Sequence, residues 1–193
     1  MNLNTDPAET ARLEALAYQA QDYALYMMRT TGSVPPTAIA DTADGFIFCM
    51  PSGLPDEAAK DQFAEVARLL AVAYAARAIV MVAEAWVRLA KPGGHLDTQT
   101  PPSQSPDRQE MVALILEDHS RSGTCLLPIM RDDIGKFVEF GENTAPNFTS
   151  TTGRFSGLMP KQTQSAQEAT AAMATLNAMG MLVVNRGFDP AMN

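Results

Sequence analysis

The stretch AIVMVAEAWVRLA, residues 78–90, decides the fold. Its first six residues are apolar without a break, which is the pattern of a strand buried almost from end to end. Beyond Ala83 the residues alternate, so Glu84, Trp86 and Arg88 share one face and Ala85, Val87 and Leu89 the other. A carboxylate two residues from the chain's only tryptophan needs a reason. In a pocket floored by Trp86, Glu84 would have a raised pKa suited to acid–base work. As a fastener it would bind an arginine or loop amides, and Arg108, across the following loop, is the preferred partner. An unpaired buried carboxylate costs roughly several kcal/mol, so the fastener reading is preferred.

Upstream, SGLP places Pro55 near the start of a helix, with Asp56 and Glu57 favouring its positive end. Phe63, Val66, Leu70 and Tyr74 form its buried stripe. Before it, GFIFCM (45–50) is a short strand between Asp44-Gly45 and Pro51. The first helix is announced by Asp6, Pro7 and Glu9 as cap, first-turn proline and capping-box acid. Leu13, Leu16, Ala17, Ala20, Ala24, Met27 and Met28 recur at helical spacing up to Gly32 and the stop SVPP.

Downstream, residues 91–108 hold four prolines and two glycines and are neither helix nor strand. QEMVALILEDHS (109–120) and TCLLPIMRD (124–132) read as strands joined across RSG, and KFVEFGE (136–142) as a third after DIG. Pro128 belongs at an edge or bulge, because it has no N–H for the ladder. Residues 143–162 form a second irregular stretch. Ser165 and Glu168 make a capping box for a last helix through Ala172, Leu176 and Met179, and MLVV (181–184) offers a final short strand. The expectation is one α+β domain over 1–193: an antiparallel meander of four or five strands with about three helices packed on one face.

Composition narrows the function. The chain has 193 residues, 46% hydrophobic and 19% charged, which suits one globular core. Its net charge of −8 repels phosphate backbones, so direct nucleic-acid binding is not expected. Cys49 and Cys125 sit in apolar runs and read as buried free thiols. No signal peptide or membrane span is apparent, so the expected location is cytoplasmic, and the sequon at Asn147 is incidental.

The densest titratable cluster is Glu117, Asp118 and His119. Glu117 and His119 share a face, and a hairpin across 120–123 would bring Asp132 and Asp133 near them. That set is the candidate for hydrolytic chemistry or a mixed His/carboxylate metal site. His95 and His119 lie in no recognisable ligand spacing, so no metal or other cofactor is expected. Ser52 lacks a nucleophile elbow, neither cysteine has a basic neighbour, and no phosphate-binding glycine loop is present. Arg154 beside Phe155 is a candidate exposed anchor, as Trp86 and Arg108 are for the first loop.

The helix-to-strand run FAEVARLLAVAYAARAIVMVAEAWVRLA, followed by PSQSPDRQEMVALILED, resembles a loose group of uncharacterised bacterial proteins over about residues 60–120. In that pattern an acid–Ala–Trp strand precedes a PS..PDR.E segment. The resemblance implies an α+β domain with Glu84, Trp86 and Pro106-Asp107-Arg108 as a structural signature, and no particular activity. The reading of function is therefore an accessory or regulatory protein that binds a protein partner through the 91–108 and 143–162 loops. An acidic inhibitor of a nucleic-acid enzyme from a mobile element is one form of it, which requires the acids to gather on one surface. The alternatives are a hydrolase using Glu84 or Glu117, His119 and Asp132, and a homo-oligomer joined through Met27, Met28, Met173 and Met179.

Overall fold

The computed structural model describes residues 7–89, 100–142, 153–162 and 164–179, and the backbone of 182–184. The Asp6 cap, His95 and the Asn147 sequon lie outside these residues. Among the described residues there are seven strands: β1 (Thr37–Thr42), β2 (Gly45–Met50), β3 (Ala78–Val87), β4 (Gln109–Asp118), β5 (Ser122–Arg131), β6 (Phe137–Phe140) and β7 (Leu182–Val184). They pair antiparallel throughout, in the order β6-β5-β4-β3-β1-β2-β7. The α+β antiparallel fold is as read, with the meander running β3 to β6.

Three α-helices among the described residues cover the sheet: α1 (Pro7–Thr31), α2 (Glu57–Ala73) and α3 (Ala166–Ala178). They lie on both faces, not one. Ala78, Val80 and Val82 of β3 meet Leu13, Leu16, Ala20, Ala24 and Met28 of α1. Ile79 and Met81, on the other side, meet Phe63, Val66 and Leu70 of α2 and Leu176 of α3. The cause lies in the central strands, which are apolar on both sides. All six residues of β1 are buried, as are Ala78 to Val82, and a strand without a polar face needs a layer above and below. Tertiary burial also makes β1 a strand, since TAIADT follows two prolines and has little strand propensity of its own.

Local signals hold elsewhere. Asp56 caps α2 by accepting from Ala59 N at 2.8 Å, so Pro55 precedes the cap instead of opening the helix. Ser165 and Glu168 form the expected capping box on α3. Pro128 lies inside β5, and its carbonyl accepts from Gly141 N at 2.8 Å. The N–H it lacks would point to the same side, so the lost ladder bond falls where β6 ends. The bulge lies two residues on, between Met130 and Arg131.

Candidate functional site

Glu84, Glu117, Asp118 and Asp132 are each engaged with the chain itself, and of the carboxylates in the 117–133 cluster only Asp133 has no such bond among the described residues. Glu84 is half-buried, and its Oε1 accepts from Val34 N at 2.6 Å. It therefore fastens the link between α1 and β1 to β3, and Arg108 is not its partner. Arg108 lies over the Trp86 ring, 4.6 Å from its centroid, and donates to the Ser103 carbonyl at 2.6 Å. Arg88 donates to the Thr100 carbonyl at 3.3 Å and sits 3.5 Å from Asp107, which also accepts from the buried Ser105 hydroxyl. The end of the 91–108 loop is thus tied to β3, but by Trp86 and Arg88 instead of Glu84.

Glu117 is only 4% exposed and accepts three backbone N–H groups. Gly157 donates to Oε1 at 2.7 Å, and Leu158 and Met159 donate to Oε2 at 2.7 and 3.1 Å. His119, on the same side of the strand as the alternation required, donates from Nδ1 to the Pro160 carbonyl at 2.8 Å. Both residues hold the 157–160 segment against β4. A cleft of about 200 Å³ beside them is lined by Ser120, Ser122 and Lys161.

Asp118 points to the other face and caps the β4–β5 turn. Burial pushes its carboxyl up, but bonds from Ser120 and Arg121 together outweigh that and hold it below the usual carboxylate range. Glu110 is likewise lowered, by paired bonds from Arg131 at 2.8 and 2.7 Å.

Asp132 does not join Glu117 and His119. The expected hairpin exists, with Glu117 opposite Ser122, but β5 is ten residues long and carries Asp132 to the opposite end of the sheet. There Asp132 Oδ1 accepts from Ile134 N at 3.1 Å and Lys136 N at 2.8 Å, bracing the β5–β6 turn. Among the described residues no three His, Cys, Asp or Glu groups lie close enough to hold a metal ion. Burial pushes the Cys49 thiol up to about 11, which leaves it a poor nucleophile at neutral pH.

Arg154 and Phe155 are fastened inward. Arg154 pairs with Glu57 and, at 2.6 Å, with Asp61, while Phe155 meets Phe63 edge-on with centroids 6.3 Å apart. Of the methionines offered as a self-contact, Met28 is core, Met27 and Met179 pack against the two core clusters, and Met173 is half-buried on α3. Two features escaped sequence reasoning. Asp41, 6% exposed, lies 2.6 Å from Arg77 and 3.7 Å from Arg12, inside a strand that was not foreseen.

The second is a surface. The described residues expose six large hydrophobic side chains, and Trp86, Leu89, Met130, Ile134 and Val138 all lie at one end of the sheet, leaving only Tyr18 elsewhere. The register brings them to one end but to two faces. Trp86 pairs with Glu110, whose partner Arg131 lies on the same face, whereas Met130, one residue before Arg131, points to the other face with Pro128, the face to which the alternation of β3 sends Leu89. Ile134 lies on the β5–β6 turn and Val138 in β6. Isolated exposed apolar residues need no explanation, but several at one end of a sheet mark a candidate contact surface. No described helix is long and apolar enough to cross a membrane. Comparison of the chain with protein-family models, curated proteins and solved structures finds no match, so the likeness over residues 60–120 brings no activity to it.

Proposed function

We propose that this protein acts by binding another protein at the end of the sheet formed by β3, β5 and β6, as an accessory or regulatory factor. The observation that carries the reading is the exposure of Leu89 (49%) and Met130 (50%) on one face of that end, with Trp86 (44%) exposed on the other face. Trp86 with its stacked Arg108 has the make-up of an interface anchor, since tryptophan and arginine dominate binding energy where they are desolvated. The carboxylates offered for catalysis are instead bound to backbone N–H groups. The acidic-inhibitor form needs acids gathered on one surface, and Asp41, Asp61, Glu57, Glu110 and Asp118 are each drawn instead to a cation of the same chain.

The test is retention of a protein from source-cell extract by the wild type and by a Leu89→Asp/Met130→Asp variant. Both positions are about half exposed, so the variant keeps the wild-type melting temperature. A partner held stoichiometrically by the wild type and lost by the variant supports the reading. Equal retention by both moves the contact elsewhere.

A further inference from the structure

Ile134 sits at the tip of the β5–β6 turn and is 88% exposed, the most exposed large hydrophobic side chain among the described residues. The turn that presents it is braced. Asp132 Oδ1 accepts from Ile134 N and Lys136 N, Gly135 N donates to the Asp132 carbonyl at 2.9 Å, and Gly135 takes a positive φ of 81°. A β-branched apolar residue on a rigid tip is a poor choice for solubility and a good one for insertion into a partner.

Beside this tip lies a cleft of about 530 Å³ between the end of α1 and the hairpin. Met28, Phe137 and Val138 supply its apolar wall, and Arg29, Lys136 and the Glu110-paired Arg131 supply charge. Neither Arg29 nor Lys136 has an ion pair or side-chain hydrogen bond among the described residues, and neither does Asp133, next to Ile134. A protruding apolar residue with an acid beside it, and an apolar cleft with two cations free of ion pairs among the described residues, thus lie together at this hairpin and the end of α1.

We infer that the hairpin is a self-association surface, in which Ile134 of each copy fills the cleft of the other across a two-fold axis. A two-fold contact requires one patch to hold both the feature that inserts and the feature that receives it, and this hairpin does. Asp133 of one copy then faces Lys136 and Arg29 of the other, twice per dimer. The inference rests on reading this end of the sheet as a contact surface. It assigns the hairpin to a second copy and leaves Trp86, Leu89 and Met130 to the partner.

Sedimentation of the whole chain from about 1 to about 100 µM tests it. The expected result is a monomer–dimer equilibrium in that range, weakened about tenfold or more by Ile134→Asp with no loss of melting temperature. Asp133→Lys and Lys136→Asp each weaken it alone, and an equimolar mixture of the two variants restores the dimer. A wild type that stays monomeric throughout overturns the inference, as does a dimer that Ile134→Asp leaves unchanged. In either case the Leu89→Asp/Met130→Asp comparison still decides the partner surface independently.

Discussion

Replacing Glu117 by Gln separates a fastener from a catalytic acid. The carboxylate accepts one N–H at Oε1 and two at Oε2. A glutamine retains one oxygen, best placed on Leu158 and Met159, and turns its amide nitrogen toward the Gly157 N–H. One charge-assisted bond is replaced by two opposed donors, and two others lose their charge. Such bonds contribute about 1.5–3 kcal/mol each and an unsatisfied buried donor costs about 1–3 kcal/mol, so the net loss is about 2–4 kcal/mol after relaxation. At this chain length each kcal/mol lowers the midpoint by about 2–4 °C, so thermal unfolding shifts down by about 4–16 °C. Amide hydrogen exchange adds a local reading: the 157–159 amides lose protection while those of β3 and β4 keep theirs. A midpoint unchanged within about 1 °C, or undiminished protection at 157–159, would refute the reasoning and restore Glu117 as a free functional group.

Other outcomes follow from the same contacts. Glu84→Gln weakens the single bond to Val34 N and lowers stability by about 1 kcal/mol in urea unfolding, a smaller effect than at Glu117 because one N–H is involved instead of three. Asp118 titrates below its ordinary range, so the unfolded chain takes up its proton first as pH falls. Its stabilisation is full above about pH 5 and is lost as pH drops through the lowered folded value, and Asp118→Asn flattens that acid limb in a pH series of melts. Trp86 is the only tryptophan, so Arg108→Ala changes its fluorescence through loss of the stacked guanidinium while leaving the unfolding free energy within about 0.5 kcal/mol of wild type.

Much of the fold was legible because its signals are local. The capping box at Ser165, the stop at Gly32 and the alternation beyond Ala83 each act within a few residues of chain. The second helical layer was not legible from alternation, since alternation marks only half-buried strands, and β1 and the start of β3 are buried on both sides. At the candidate site the shared side of Glu117 and His119 came from strand periodicity. The separation of Asp132 required the full length of β5, and the partner of Glu84 lies fifty residues away at Val34, where only the tertiary register brings it. The apolar end of the sheet was hidden for a like reason. Trp86, Leu89, Met130 and Val138 are scattered along the chain and reach the same end of the sheet only once β3, β4, β5 and β6 are paired.

A partner bound at this end of the sheet would cover Leu89 and Met130. The most direct measurement compares wild type with Leu89→Asp/Met130→Asp for stoichiometric retention of a protein from source-cell extract, with amide protection mapped on the complex. The account predicts a partner held by the wild type alone, with new protection over residues 86–89 and 128–131. A partner held equally by both chains, or protection confined to α2 and α3, would contradict it.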